Sequence, residues 1–338
     1  MGAYEFKKKG FDRSPASSQP RAYWWWLNGN VNTNRLREEL IEMKNAGITG
    51  VDIFDIGGPE VPNPDNMIPA GPAFMGDESL RSIKFAVEEA GKLDMDVYLS
   101  VSSSWNAGGS WIKPENAAKT LYFSEVRVSG PKRMDIKPPF PTINTPKDER
   151  HQQILLDPNG KPQFYTEVAV LALPISSRKI DTAQIINVSR YFDPETEVLD
   201  WKVPKGEWRI VRYICANSGK TLNSPSPNSN GFELDPLDAA STASHFEYFI
   251  ERLKPLFGGD IKNSALKGLY LASYENSDLL WTPALPSAFR ELNGYDIWKF
   301  IPTIFTPDIF PEEVVEDFQF DFRKTISEVM LKSFYQTS

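Results

Sequence analysis

Sulfur and imidazole are scarce in this sequence. Cys215 is the single cysteine among 338 residues, so no disulfide can form within the chain and a cysteine metal site is excluded. Only His151 and His245 offer imidazole, which argues against a histidine-rich zinc centre. No run approaches the roughly 20 apolar residues of a membrane span, and no apolar export signal follows Met1. Basic residues cluster only at Lys7 to Lys9, and a formal net charge of -8 leaves no surface of the kind that nucleic acid requires. A GxGxxG spacing, a P-loop lysine and an internal repeat are likewise missing. What is plentiful is apolar and aromatic. A hydrophobic share of 41% predicts a soluble globular protein with a sizeable core, and nine Trp, 12 Tyr and 21 Phe supply flat faces that stack on the C-H faces of sugars as well as filling that core.

Periodicity organises the chain. Residues 1–20 read as an extended lead-in. Tyr23 to Leu27 is a strand candidate with three consecutive tryptophans, so at least one must face opposite to its neighbours, and one is expected to line a cavity. Asn28-Gly29-Asn30 marks a turn, Asn32 or Thr33 can cap a helix, and Leu36, Leu40, Ile41, Met43 and Ala46 recur along it until Gly47 closes it. Val51 to Ile56 is the next strand. Asp77 or Ser79 can cap a second helix, and Asp96 to Val101 is a third strand. This alternation predicts a parallel sheet in an interrupted (β/α)8-type barrel, with a doubly wound open sheet as the second choice.

From Leu121 to Tyr213 the period changes to two. Val126 to Val128, Glu167 to Leu173 and Trp208 to Ile214 are separated by Pro, Gly and charged turns, which predicts an inserted, mainly antiparallel β domain with Pro131 to Pro146 as a linker. A helix starting near Asp238 and holding His245, a strand at 267–273, a short helix at 288–292 and a long one at 312–334 follow. The expected organisation is a lead-in at 1–20, the first part of the barrel at 21–125, the inserted β domain at 126–216, and a continuation of the barrel at 217–338. Five strands at most are counted where a barrel needs eight, so the barrel is expected to be incomplete in this chain.

The chemistry centres on Lys267-Gly-Leu-Tyr-Leu-Ala-Ser-Tyr-Glu-Asn276, a short apolar run ending in a carboxylate. As a buried parallel strand it would deliver Glu275 to the C-terminal edge, where barrel enzymes keep their reacting groups; as a plain loop start, Glu275 would be an ordinary surface residue. Glu233 and Asp235 alternate in Gly231-Phe-Glu-Leu-Asp235, so on an extended segment they would point to one side. Asp55 ends the second strand. The loop after the third strand, Ser102 to Trp111, brings Trp105, Asn106 and Trp111, and together with Trp25 and Asn28 these could frame a ligand. Asp238 reads as a helix cap, and His245 as a packed helical residue.

Taken in order, Tyr23-Trp-Trp-Trp-Leu-Asn-Gly-Asn30, Met43-Lys-Asn-Ala-Gly-Ile-Thr-Gly-Val51, Phe54-Asp-Ile-Gly-Gly58, Gly108-Gly-Ser-Trp-Ile112, Ser218-Gly-Lys220 with Asn223, Gly231-Phe-Glu-Leu-Asp235 with His245-Phe246, and Asn293-Gly-Tyr-Asp296 resemble the α-L-rhamnosidase-like glycoside hydrolases of family 106 over nearly the whole chain. The resemblance implies an interrupted barrel with an inserted β domain, cleavage of terminal rhamnose from plant polysaccharides with inversion, and a bacterial protein that is periplasmic or secreted. It further implies a calcium ion, for which Asp55, Asp235 and Asp278 are candidate ligands without any diagnostic loop. By this reading Glu275 is one catalytic carboxyl, its partner is either Glu233 or, as the preferred expectation, a carboxylate beyond Ser338, and Trp25, Asn28, Asp55, Trp105, Asn106, Trp111 and Asp235 contact the carbohydrate. The chain departs from the family pattern in three places. Ala272 stands where an aspartate is expected three residues before the strand-end glutamate, Ser100-Val-Ser-Ser-Ser104 replaces a segment richer in Asn and Cys, and relatives continue past the length reached here, with a further acidic strand end. A non-catalytic carbohydrate-binding barrel is the alternative that Ala272 favours. A phosphosugar isomerase or aldolase is disfavoured because Lys267 lies at the wrong end of its strand for a Schiff base.

Overall fold

A computed structural model describes residues 18–58, 68–143, 154–275 and 278–338. His151, Asn276 and the Lys7 to Lys9 cluster lie outside the described residues. In chain order the elements are β1 (Arg21–Leu27), α1 (Thr33–Asn45), β2 (Gly50–Ile56), α2 (Asp77–Lys92), β3 (Asp96–Ser103), β4 (Gly108–Gly109) and β5 (Lys119–Ile136). They continue with β6 (Tyr165–Pro174), β7 (Ile186–Asn187), β8 (Phe192–Asp193), β9 (Val198–Asn217), β10 (Phe232–Glu233), α3 (Ala239–Leu253) and β11 (Leu266–Tyr270). Three helices close the series: α4 (Leu285–Asn293), α5 (Ile301–Phe305) and α6 (Glu312–Met330). The chain divides into two compact units, the first drawing on Met1–Ile112, Thr221–Leu234 and Ser244–Asn276, the second on Lys113–Lys220, Asp235–Ala243 and Ser277–Ser338.

The first unit is built on a four-stranded parallel sheet of order β1-β2-β3-β11. Alternation along β1 splits the three tryptophans as the period of two demands. Trp24 and Trp26 are buried, and Trp24 donates its indole N–H to Glu39 Oε2 of α1 at 2.9 Å, whereas Trp25 stays 47% exposed on the other face. Asn32 caps α1 by accepting the N–H groups of Asn34 and Arg35. The expected side-chain cap of α2 is not formed: its N-cap is Gly76, and Asp77 instead sits in the first turn, where its charge complements the helix N-terminus.

Two expectations need correction. The sheet stays open, with β1 and β11 at its edges, so the described residues form a parallel sheet and no closed barrel. Strand β11 is not covered on both faces either. It ends at Tyr270, and Lys267 to Tyr270 are exposed or half-buried because an edge strand has a neighbour on one side only.

In the second unit β5, β9, β6 and β7 form an antiparallel sheet, with β8 also paired to β9. Pro131 to Ile136, expected as linker, belongs to β5; a register shift between Gly130 and Lys132 absorbs the proline within the ladder. Both faces of this sheet are covered, which explains the continuous apolar run Val168 to Leu173. Leu171, Leu173, Val211, Tyr213 and Cys215 pack with Trp281, Phe289 and Phe318 on one face, and Val170, Ala172 and Ile210 pack with Leu199 and Trp201 on the other. Arg212 is fully buried. It donates to Glu167 at 2.5 and 3.1 Å, to Glu197 at 3.0 Å and to the Pro138 carbonyl at 3.3 Å, with the Phe140 and Phe192 rings near its guanidinium. Removing one member of a buried charge cluster leaves the others uncompensated. Arg212→Met is therefore expected to lower unfolding free energy by about 3 kcal/mol in urea titration, and a loss below about 1 kcal/mol would show that the cluster contributes little.

Candidate active site

Parallel strands leave their sheet at the same edge, and in the first unit this gathers the ends of β1, β2, β3 and β11. Asn28 and Gly29 follow β1 with φ of 58° and 66°, a left-handed pair suited to an Asn-Gly turn. The Asn28 side chain donates to the Ile68 carbonyl at 3.1 Å, and its own carbonyl accepts from Gly71 N–H at 2.8 Å, so it ties the loop beyond β2 to the end of β1.

Asp55 near the end of β2 is only 2% exposed. Its Oδ1 accepts from the Ser103 hydroxyl, whose oxygen in turn accepts the Ser226 N–H at 2.8 Å. Burial pushes the carboxyl up to about 6, while the hydrogen bonds with Ser103 and Ser226 pull the other way. Ser102, Ser103 and Ser104 are all buried. Ser104 has φ of 137°, rare for a residue with a Cβ, and is held there by Ser102 Oγ donating to its carbonyl at 2.8 Å and by its own hydroxyl on the Asn223 carbonyl.

Asn106 follows directly and meets two of the acidic candidates. Its Nδ2 donates to Glu233 Oε1 at 2.8 Å and to the Glu275 carbonyl at 3.4 Å, while its Oδ1 accepts the Glu275 N–H at 3.2 Å. Glu233 is carried by β10, which pairs antiparallel with β4. That approach needs glycine, because a methyl group on Gly231 would lie 2.0 Å from the Gly109 carbonyl carbon. Glu233 is buried, whereas Glu275 is exposed and its carboxylate accepts from Ser273 Oγ at 2.8 Å. The structure thus brings Asn106, Glu233 and Glu275 together at one strand edge.

Aromatic side chains occupy the sheet face opposite Trp24 and Trp26. Trp25 lies 5.4 Å from Phe54 and 5.7 Å from Trp105, and the Tyr23 and Tyr270 hydroxyls share a hydrogen bond of 2.8 Å. Trp25 and Trp26 also line a cavity of about 320 Å³ with Asn30, Arg35 and Glu39. Trp111 is engaged differently. It stacks on Tyr248 at 4.4 Å, and its indole N–H donates to His245 Nδ1 at 3.1 Å. His245 must then carry its proton on Nε2, which lies 3.0 Å from the Val101 carbonyl; burial pushes the ring down to about 4, so it is neutral at pH 7.

Asp235 does not share partners with Glu233. It belongs to the second unit, where it is buried against Lys119 Nζ at 2.7 Å and Thr282 Oγ1 at 3.2 Å and accepts the Leu237 N–H. Asp278 pairs with Lys220 at 2.7 Å. Of the three candidate calcium ligands Asp55 is held by a serine and the other two by lysines, and among the described residues no three acidic, histidine or cysteine side chains gather as a metal site. A cavity of about 660 Å³ in the second unit, bordered by Tyr295, Phe300, Phe318 and Asp321, includes none of the predicted site residues. The residues that sequence reasoning passed over are Ser103, Ser226 and Lys119. Each acts through a partner far along the chain, and none carries a local signal.

The profile of glycoside hydrolase family 106, described as α-L-rhamnosidase, matches residues 12–183 and 176–338. The chain belongs to that family. A Formosa agariphila protein provisionally named a β-glucuronidase is 28% identical over 97% of the chain and 29% of its own length. A rhamnosidase structure from Novosphingobium sp. PP1Y superposes with a TM-score of 0.73 at 19% identity, covering 98% of the chain and 45% of that protein. The family 106 chain therefore spans less than half the length of either relative.

The Asp55 environment sets a pH dependence. Its carboxyl titrates higher when folded, at about 6 against an ordinary 3.8, so its stabilising contribution is complete below about pH 4 and is lost as pH rises through 6. Asp55→Asn keeps an oxygen for Ser103 and cannot ionise. The stability gap between the two proteins should shift by about 3 kcal/mol in favour of the variant between pH 3 and pH 7, and parallel pH curves would contradict this account of Asp55.

Proposed function

We propose that this chain supplies the catalytic carboxyl groups of an α-L-rhamnosidase-like glycoside hydrolase that inverts configuration at terminal rhamnose of plant polysaccharides. The observation that carries the reading is the placement of Glu233 and Glu275 against one side chain, Asn106, at the C-terminal edge of a parallel sheet. Glycoside cleavage with inversion needs one carboxyl to protonate the leaving oxygen and another to activate water from the opposite face of the ring. An amide N–H at 2.8 Å supports negative charge on Glu233, which suits it to the water-activating role. Glu275, whose main chain Asn106 holds beside Glu233, is left the acid role. The half-exposed Trp25 offers an aromatic surface on the open face of the same sheet. In this reading the remaining strands of a barrel come from the longer protein, and a calcium ion, held by hard oxygen ligands, serves the full-length enzyme.

Two other readings are open to the same test. Ala272, buried where the family pattern places an aspartate, favours a protein that binds carbohydrate without cleaving it. The name of the Formosa agariphila relative favours a uronic acid in place of rhamnose. In the full-length protein, Glu275→Gln and Glu233→Gln should each lower turnover of an aryl α-L-rhamnoside at least about a hundredfold. Because Glu275 is exposed, its variant should stay within about 0.5 kcal/mol of wild-type stability. Normal turnover by Glu275→Gln would remove it from the reaction, rhamnose binding without any turnover would establish the non-catalytic reading, and cleavage of an aryl β-glucuronide alone would reassign the sugar. The 338-residue chain alone should show little or no turnover.

A further inference from the structure

Asn106 has the chemistry of a sugar ligand but not the freedom of one. It is 5% exposed, and its one oxygen and both amide hydrogens have protein partners. Two of those bonds go to the N–H and the C=O of a single residue, Glu275, as a neighbouring peptide group in a β ladder would make them. The position is informative. Strand β11 ends at Tyr270, where its pairing with β3 stops at Ser100. Asn106, beyond the end of β3, resumes that pairing with a side chain and fixes the main chain of Glu275. Its remaining N–H holds the Glu233 carboxylate. One amide group therefore holds the carboxylate of Glu233 and the main chain from which the Glu275 side chain springs, and Ser104, two residues before it, is locked in a strained conformation that limits how far the amide can drift.

We propose that Asn106 is a positioning residue that fixes the spacing of Glu233 and Glu275, and that it does not bind the sugar. The proposal rests on the reading of those two glutamates as the acting pair. Geometry of this kind matters because a misplacement of about 1 Å between reacting groups costs on the order of a hundredfold in rate. The role also predicts a kinetic signature. Loss of positioning lowers kcat and leaves KM nearly unchanged, whereas loss of a sugar contact made equally in ground and transition states raises KM and spares kcat.

Two variants separate the parts. Asn106→Ala removes all three hydrogen bonds. Asn106→Asp keeps the shape and the acceptor for Glu275 N–H, but loses both donors and sets a carboxylate against Glu233. In the full-length protein acting on an aryl α-L-rhamnoside, both should lower kcat at least about thirtyfold with KM within about threefold. Hydrogen exchange on the same full-length protein gives a second readout that needs no turnover. The Glu275 amide should exchange at least about tenfold faster in Asn106→Ala and retain its protection in Asn106→Asp, with exchange along β2 and β3 unchanged in both. A raised KM with normal kcat would overturn the proposal in favour of a sugar ligand. Unchanged Glu275 exchange in Asn106→Ala would overturn it directly. Should the wild-type protein cleave no glycoside while the exchange pattern appears as expected, the proposed function fails and the Asn106 contact stands, so the two failures are distinguishable.

Discussion

Parallel pairing is the constraint on which the first unit depends. Arg21 to Leu27 run in register with Gly50 to Ile56, and β3 and β11 extend the ladder in the same direction. All four strands must then release their chains at one edge, which is why an Asn-Gly turn, a buried aspartate, a serine run and the glutamate in the segment after β11 meet there although more than 200 positions separate the first from the last. The apolar residues Trp24, Trp26, Val51, Ile53, Val97 and Leu99 are buried beneath this arrangement. Full burial of such side chains is worth about 1.5 to 3 kcal/mol each, enough to hold a strained Ser104 and an ion-poor carboxyl in place above them.

Much of that framework is legible in the sequence because it follows from local period. The alternation of three tryptophans dictates that Trp25 faces away from Trp24 and Trp26, and the Asn32 cap is a short-range hydrogen bond. What depends on neighbour count is not legible. The run Lys267 to Leu271 has the composition of a strand covered on both faces, yet β11 is an edge, since burial of a strand is decided by what lies beside it. Proline misled in the opposite sense. Pro131 signals a break, but a register shift at Gly130 lets β5 continue to Ile136, and only the opposing strand β9 reveals this.

The site shows the same division. Glycines at 108, 109 and 231 mark a close backbone approach, and the pairing of β4 with β10 supplies it. The fate of each side chain at that approach depends on distant partners. Glu233 and Asp235 are two positions apart and look equivalent, but one accepts from Asn106 and the other from Lys119, neither of which is near in sequence. Trp105 and Trp111 likewise look interchangeable. Trp111 is committed by a stack on Tyr248 and a bond to His245, while Trp105 joins the aromatic cluster of Trp25 and Phe54.

Three carboxyl groups at this edge sit in three environments, and the differences decide what each can do. Asp55 is buried and accepts from the Ser103 hydroxyl, and burial is the larger effect on it, so its negative charge is disfavoured. Glu233 is buried too and accepts from the Asn106 amide N–H. Glu275 combines a main chain fixed by Asn106 with a carboxylate open to water, which joins precision of position to ease of proton exchange. One buried amide, Asn106, thus meets the two glutamates differently, through the carboxylate of Glu233 and through the main chain of Glu275.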